Sequence, residues 1–469
     1  MELPVEFEKR MKKLLGHGYA AFYDALCHED PVKGLRVNPH KVSAATFAEQ
    51  VPFAVERISY VDGGFIVPEE AGAGKHPYHH AGAYYMQDPG AMATVAALPD
   101  EIWAREGLKI LDLCAAPGGK TTQLAALCAE KGGAVLANEY VSARSRILAG
   151  NVERMGLDNV LVTNVDSKYI AKWYPAFFDL VVVDAPCSGE GMYRKNDLAI
   201  SEWSPENVVM CAERQREILA NAVSTVAPGG YLLYSTCTYS TEENEEIVAW
   251  LTKAYPDFRL VPCRDDVTAH TADGVDITGG EMPALALCRR FYPHVSAGEG
   301  QFLALLKREF SDDAENSSVK DAGISPGKNE QTAVNDFLKE TIGHTLPGLM
   351  LCGGNVTSFP PRDALGFPIP PFGVVAAGVA VGEVRKGRVV PHHHFFMAYG
   401  KECLLKCILP PADERVARYL AGEEIEAEEL SSGYAAVLLK VGDETVSLGG
   451  GKASGGRLKN YYPKGLRTR

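Results

Sequence analysis

Phe178-Asp179-Leu180-Val181-Val182-Val183-Asp184-Ala185-Pro186-Cys187-Ser188-Gly189 is a short, β-branched apolar run that stops abruptly at small and polar residues. A second such run lies downstream, Gly230-Tyr231-Leu232-Leu233-Tyr234-Ser235-Thr236-Cys237-Thr238-Tyr239-Ser240. Runs that are apolar at consecutive rather than alternate positions read as strands buried on both faces, as in a parallel sheet. In open α/β sheets the ligand lies beyond the carboxyl ends of the strands. Cys187 and Cys237 are therefore expected to face one crevice. A thiol just past a strand end is placed to act as a nucleophile, whereas a core cysteine lies inside the apolar run.

Upstream, Lys109-Ile110-Leu111-Asp112 reads as a strand running into Leu113-Cys114-Ala115-Ala116-Pro117-Gly118-Gly119-Lys120, with a helix over Thr121 to Cys128. Small residues let the backbone approach a ligand, and a helix N-terminus holds a polar or anionic group. The spacing matches neither the dinucleotide fingerprint nor the phosphate-binding loop, so the loop alone says only "nucleotide-like cofactor". Ala134 to Asn138 is a further strand-like run ending at Glu139, where a carboxylate would grip ribose hydroxyls. Val160 to Val165 leads to Asp166, and Glu206 to Val226 reads as a long helix opened by Ser204-Pro205. Strands alternating with helices predict an α/β fold with a doubly wound, mostly parallel sheet over residues 85–308.

Three stretches together, Cys114 to Lys120, Asp184 to Gly189 and Thr236-Cys237-Thr238, resemble the RNA cytosine-C5 methyltransferases that use S-adenosylmethionine. Met86-Gln87-Asp88-Pro89-Gly90-Ala91-Met92, Pro293-His294 and Gly300-Gln301-Phe302-Leu303-Ala304 support the likeness, which covers roughly residues 30–308. Gln301 stands where that family usually has an aromatic residue. The resemblance implies a Rossmann-like domain in which Cys237 attacks C6 of cytosine, because C5 is a poor nucleophile until a thiolate has added to the ring. It implies that Cys187 serves release, as a general base directly or through water. Asp184 would bind the base at its N3 and N4 edge and stabilise charge in the adduct. Cys114, Ala115, Ala116, Pro117, Gly118, Gly119 and Lys120 would hold the cofactor with Glu139 on the ribose, Asp166 on the adenine and Asp184 at the reacting end. Cys114 is then a backbone contributor and not a reactive thiol. Lys120 has two readings, neutralising a cofactor carboxylate or a phosphate, or capping the turn.

The chain has 469 residues, enough for two to four domains. Hydrophobic content of 46% and charged content of 23% are globular values, and no apolar run reaches the length of a membrane span. No secretory leader is visible, and eleven scattered cysteines without a Cys-x-x-Cys pair argue against a disulfide framework or a zinc site and suit the cytoplasm. No metal is expected. A net charge of −13 is awkward for an RNA-binding protein, so distribution must decide. Lys452, Arg457, Lys459, Lys464, Arg467 and Arg469 are free of acidic neighbours in the tail, and Arg385, Lys386 and Arg388 form a second basic group. Tyr461-Tyr462 either stacks on bases or packs internally. Glu423 to Glu429 reads as a solvated helix face, and His392-His393-His394 as a surface or strand segment and not a metal site.

Residues 1–84 read as a small α+β unit with a helical start over Phe7 to Leu26 and a strand at Gly34-Leu35-Arg36-Val37-Asn38. By resemblance this is an RNA-recognition-like domain, the alternative being simply an extra packing domain. Residues 309–335 read as a flexible linker, 336–404 as an intermediate Gly- and Pro-rich segment, and 405–469 as a β-rich module resembling a PUA-like RNA-binding fold. This C-terminal part is similar to the tail of the F type of bacterial small-subunit ribosomal RNA methyltransferases. The expected partner is RNA, either ribosomal (16S) RNA, within the small subunit or free of it, or transfer RNA. No membrane and no obligate protein partner are expected. Two rival functions are a non-catalytic RNA-binding ribosome-assembly factor, and an N-methyltransferase, which needs no thiol and usually shows Asn/Asp-Pro-Pro-aromatic where this chain has Asp184-Ala185-Pro186-Cys187.

Overall fold

The computed structural model describes residues 1–310 and 319–468. Two helices open the chain, Val5–Leu15 and Tyr19–His28. The single helix expected over Phe7 to Leu26 is interrupted because Gly16 takes a left-handed φ of 52° and closes the first helix onto Lys12. Phe7, Met11, Phe22 and Leu26 bury against Tyr193, Trp203, Tyr239 and Tyr292, so this hairpin belongs to the core of the central domain. An antiparallel sheet follows, with β1 (Lys33–Val37), β2 (Glu56–Arg57), β3 (Gly64–Val67) and β4 (Tyr84–Met86) in the order β2-β3-β1-β4.

The central sheet holds five parallel strands, β5 (Lys109–Asp112), β6 (Ala134–Asn138), β7 (Val160–Thr163), β8 (Phe178–Asp184) and β9 (Val226–Thr236), in the order β9-β8-β5-β6-β7. Helices Gly119–Ala129, Ser142–Met155, Ser167–Trp173 and Pro205–Val223 make the crossovers. Ser204 caps the last of these by accepting from Asn207 N at 3.1 Å, as its Ser-Pro start predicts. Val181, Val182 and Val183 are fully buried, one face packing on each of two core clusters. The α/β doubly wound expectation is met by these five strands, while both edges are antiparallel. On one side lie β10 (Phe258–Leu260), β11 (Ala272–Asp273), β12 (Arg289–Phe291) and β13 (Gln301–Arg308), with β13 paired to β9.

The intermediate segment contains β14 (Leu349–Cys352), β15 (Asn355–Ser358), β16 (Val374–Ala377), β17 (Val379–Arg385) and β18 (Arg388–Pro391). Four of these form their own sheet, β14-β15-β17-β18, while β16 leaves it to pair with β7 and close the other edge of the central sheet. The C-terminal module is a five-stranded sheet of β19 (Lys406–Leu409), β20 (Ile425–Glu426), β21 (Gly433–Val441), β22 (Glu444–Ser454) and β23 (Arg457–Asn460). Its core is continuous with that of the N-terminal sheet, Leu439 and Leu448 lying in one cluster with Leu35 and Phe65.

Three expectations change. Of the expected linker 309–335, residues 311–318 lie outside the described residues, and the remainder is structured: Asp321 pairs with Arg362 at 2.9 Å, and a helix spans Lys328–Ile342. Its polar opening turns hid a buried face of Val334, Phe337, Leu338 and Ile342. The histidine run is neither surface nor strand. His392 accepts from His394 N at 3.2 Å at the start of helix His393–Tyr399, and His393 and His394 are buried. Among the described residues no metal-ligating cluster forms. Glu423 to Glu429 is not a helix, because Gly422 at φ 88° ends the helix Glu414–Ala421 and the chain turns into β20. Among the described residues no helix is long and apolar enough to cross a membrane.

Candidate active site at the strand ends

Parallel pairing of β8 with β9, with Asp184 opposite Ser235, carries both cysteines to the same end of the sheet. Cys237 follows β9 directly, Cys187 lies just past β8, and their Sγ atoms are 3.2 Å apart. Both are free thiols. The backbone N–H of Cys237 also donates to Cys187 Sγ at 3.3 Å. The hydrogen bond to Cys237 and burial hold the Cys187 thiol well above its ordinary range, and the charge of Glu243 adds to this. Either sulfur can donate in the contact between them, and the upward shift favours the protonated form of Cys187. The base implied by the resemblance is not yet formed there.

A buried polar frame fixes these loops. Glu243 accepts from Ser188 N at 3.0 Å, from Gln215 Nε2 at 2.8 Å and from the Ser188 hydroxyl, and burial raises it to about 7. Glu190 accepts from Trp203 Nε1, Tyr239 N and Ser240 Oγ. Glu245 and Arg290 form a fully buried ion pair that ties the segment after Cys237 to β12, with Arg290 also donating to Tyr239 O at 2.8 Å. None of these residues was singled out by sequence reasoning. Although they lie in the polar stretch Thr241-Glu242-Glu243-Asn244-Glu245-Glu246, Glu243 and Glu245 are 0% exposed.

The glycine loop runs from the end of β5 beside this pair. Gly118 has φ 112°, and a Cβ there would come within 3.1 Å of Leu148. Arg144 donates to Ala116 O and Asn151 to Pro117 O, each at 2.8 Å, which pins the loop. The loop opens into a cavity of about 270 Å³ bounded in part by Tyr85, Asp112, Lys120, Asp184, Cys237 and Gln301. The Lys120 ammonium pairs with Asp184 Oδ2 at 2.8 Å. Asp184 Oδ1 accepts from Ser235 Oγ at 2.7 Å and from Gln301 Nε2 at 3.4 Å, so Gln301 supports Asp184 from β13. Cys114 lines the cavity, but burial and Asp112 push its thiol far up, as suits a backbone contributor. Glu139 is buried at the end of β6 and accepts from Val141 N at 2.8 Å. Asp166, past β7, caps the helix Ser167–Trp173 by accepting from Lys168 N at 3.0 Å. Neither lines the cavity itself. They continue the same sheet edge in the order Cys237, Asp184, Asp112, Glu139, Asp166, set by β9-β8-β5-β6-β7.

The family model described as 16S rRNA methyltransferase RsmB/F matches residues 102–307. Those for the N-terminal domain of 16S rRNA methyltransferase RsmF and the methyltransferase RsmF PUA domain match 3–89 and 407–468. A curated relative named ribosomal RNA small subunit methyltransferase F, from Klebsiella pneumoniae (strain 342), is 30% identical over 94% of this chain and 91% of its own length. The chain belongs to the ribosomal RNA small subunit methyltransferase F family. Another member, from Vibrio atlanticus (strain LGP32), is 30% identical over 99% of this chain and 97% of its own. Among solved structures, a methyltransferase homologue from Pyrococcus horikoshii superimposes with a TM-score of 0.55 at 26% identity, over 64% of this chain and 94% of its own. NSun6 from Pyrococcus horikoshii, solved with SFG, has the same fold at a TM-score of 0.55 and 20% identity, over 66% of this chain and 99% of its own.

Like the family, the chain uses S-adenosylmethionine, which supplies an electrophilic methyl group when bound. The residues fit it. Asp112 is fully buried, accepts from Thr121 Oγ1 at 2.6 Å, and leaves Oδ1 without a partner on the cavity wall. Burial raises this carboxyl to about 7, so a cationic group beside it would be stabilising. Glu139 and Asp166 lie farther along the same strand-end edge, past β6 and β7.

Proposed function

We propose that this family member transfers a methyl group to C5 of cytosine in RNA, small-subunit (16S) ribosomal RNA first, through a covalent Cys237–C6 bond. The observation that carries the proposal is the pair of free thiols 3.2 Å apart beside the cofactor cavity. Exocyclic-amine methylation needs no thiol, whereas C5 chemistry needs one to add and a second group to take the C5 proton. Cys237 as thiolate adds to C6, C5 takes the methyl group, and a base removes the C5 hydrogen as a proton. The electron pair of that bond restores the C5–C6 double bond and Cys237 leaves as thiolate. The pair with Lys120 favours Asp184 as a hydrogen-bond acceptor, which suits it to receive the exocyclic amine at the N4 edge of the base. The chain is expected to place 5-methylcytosine in a small-subunit ribosomal RNA transcript or assembled subunit and not in transfer RNA, read by bisulfite sequencing. A product methylated only on the exocyclic amine would overturn the proposal.

The RNA-facing surface is proposed to lie across the C-terminal sheet and the β17–β18 turn. Lys452 and Lys459 are exposed neighbours in register on β22 and β23, and Lys452 Nζ sits 5.5 Å from the Tyr434 ring centroid. The Tyr434 hydroxyl donates to Val389 O at 3.3 Å, joining this strip to exposed Arg388 and Lys386. Tyr461 is half-buried against Tyr434, while Tyr462 is core, bonded to His80 at 3.2 Å, and takes the internal-packing reading. Replacing both lysines by glutamine should lower the salt slope of RNA binding by about 0.7 to 0.9 for each phosphate no longer neutralised. Titration at several salt concentrations reads this, and an unchanged slope removes the strip from the interface. Point changes are the correct test because truncation near residue 335 would strip the shared core from Leu35 and Phe65.

A further inference from the structure

Gln87 is 8% exposed on the cavity wall, and its Nε2 has no partner among the described residues. Its orientation is fixed, because Oε1 accepts from Arg36 Nε at 3.1 Å and the NH2 group must be turned the other way. The amide lies against the start of helix Gly119–Ala129, where a Cβ on Gly119 would meet Gln87 Nε2 at 3.2 Å. Gly118 offers that helix no side-chain cap, so its first N–H groups have no intrahelical acceptor. Behind Gln87, the Arg36 guanidinium is buried with only neutral oxygens around it: Gln87 Oε1, Gly119 O at 3.2 Å and Thr122 Oγ1 at 2.8 Å. Among the described residues it makes no ion pair, and burial draws it down to about 10. Lys120, a cation on the same cavity wall, is engaged by Asp184. An unpaired donor, free helix-start amides and a buried cation without an ion pair converge on one place suited to an anion.

S-adenosylmethionine has one anionic group, the carboxylate of its methionyl end. We propose that Gln87 Nε2 and the amides at the start of helix Gly119–Ala129 bind this carboxylate, and that Arg36, reaching over from the N-terminal sheet, is the positioning residue that fixes the Gln87 amide. The unpartnered Asp112 Oδ1 on the same cavity suits the methionyl ammonium. The N-terminal sheet thereby becomes part of the cofactor site, whichever nucleotide is methylated.

The test compares two ligands, S-adenosylhomocysteine, which keeps the amino-acid end, and 5′-methylthioadenosine, which lacks it. Titration calorimetry of Gln87→Met should show roughly tenfold to a hundredfold weaker binding of S-adenosylhomocysteine, the span expected for one hydrogen bond to a charged group. Binding of 5′-methylthioadenosine should match that of the wild type. Arg36→Met should give the same selective pattern with a smaller loss. Gln87→Glu, equal in size, sets a carboxylate against a carboxylate and should lose more than Gln87→Met, which keeps the test open should the methionine variant unfold. Equal weakening of both ligands would mean that Gln87 only supports the loop and would overturn the proposal. So would unchanged S-adenosylhomocysteine affinity, or a loss confined to RNA binding, which would assign the site to a phosphate.

Discussion

Cys237→Ala should reduce methyl transfer by roughly 10⁴-fold or more, the scale on which loss of a nucleophile abolishes covalent catalysis. Cofactor affinity should stay close to that of the wild type, because the sulfur only borders the cavity and the loop from Cys114 to Lys120 is pinned by Arg144 and Asn151. Fold should be retained, since Gly191 N bonds the carbonyl of residue 237 at 2.9 Å and not its side chain. Methyl transfer and S-adenosylhomocysteine binding are measured on the same sample. RNA carrying 5-fluorocytosine should trap the wild type covalently, because fluorine at C5 cannot leave as a proton, and should leave the alanine variant free. Retained turnover in Cys237→Ala would remove this residue from the mechanism.

Cys187→Ala should do the opposite of a simple loss: it should methylate once and then accumulate a denaturation-resistant RNA–protein adduct. The reason lies in what holds the Cys187 proton. The first cause is its hydrogen bond to Cys237, burial is the second, and the charges of Cys237 and Glu243 add to them. Once Cys237 sulfur is bonded to C6 it is a neutral thioether, so its charge and its hydrogen bond as a thiolate are lost while burial and Glu243 remain. The Cys187 thiol is then easier to deprotonate than in the resting pair, as the base of the release step requires. With alanine at 187 the C5 proton has no acceptor and the adduct persists. Denaturing electrophoresis with a labelled methyl group shows it as a slow band. The Cys187→Ala, Cys237→Ala double variant should show none; a band that persists there would point to another nucleophile.

Much of the site is legible in sequence because its parts are short and local. Strands β8 and β9 show as uninterrupted apolar runs, the glycine loop as a cluster of small residues, and the thiols by their place one to three residues beyond strand ends. Burial of charge is absent from the local sequence for a physical reason. A carboxylate in a polar run is normally solvated, but Glu243 and Glu245 are buried because Ser188, Gln215 and Arg290 arrive from distant segments to satisfy them. Gly422 stopped a helix that a run of glutamates would have continued, and the polar turns before Val334 concealed an amphipathic helix.

By itself, then, the sequence determined the fold class, the glycine loop after β5 and the place of the two thiols just beyond their strand ends. Each of these rests on residues within about a dozen positions of one another, where backbone geometry and side-chain period translate directly into structure. Only the tertiary structure decided that Lys120 pairs with Asp184, that Gln301 supports it, that Arg36 reaches the cofactor loop, that β16 closes the sheet, and that the first and last modules share one core. These pairings join residues tens to hundreds of positions apart. Their partners are chosen by which polar atoms burial leaves unsatisfied and which apolar faces remain to be covered, and no local pattern in the chain records either.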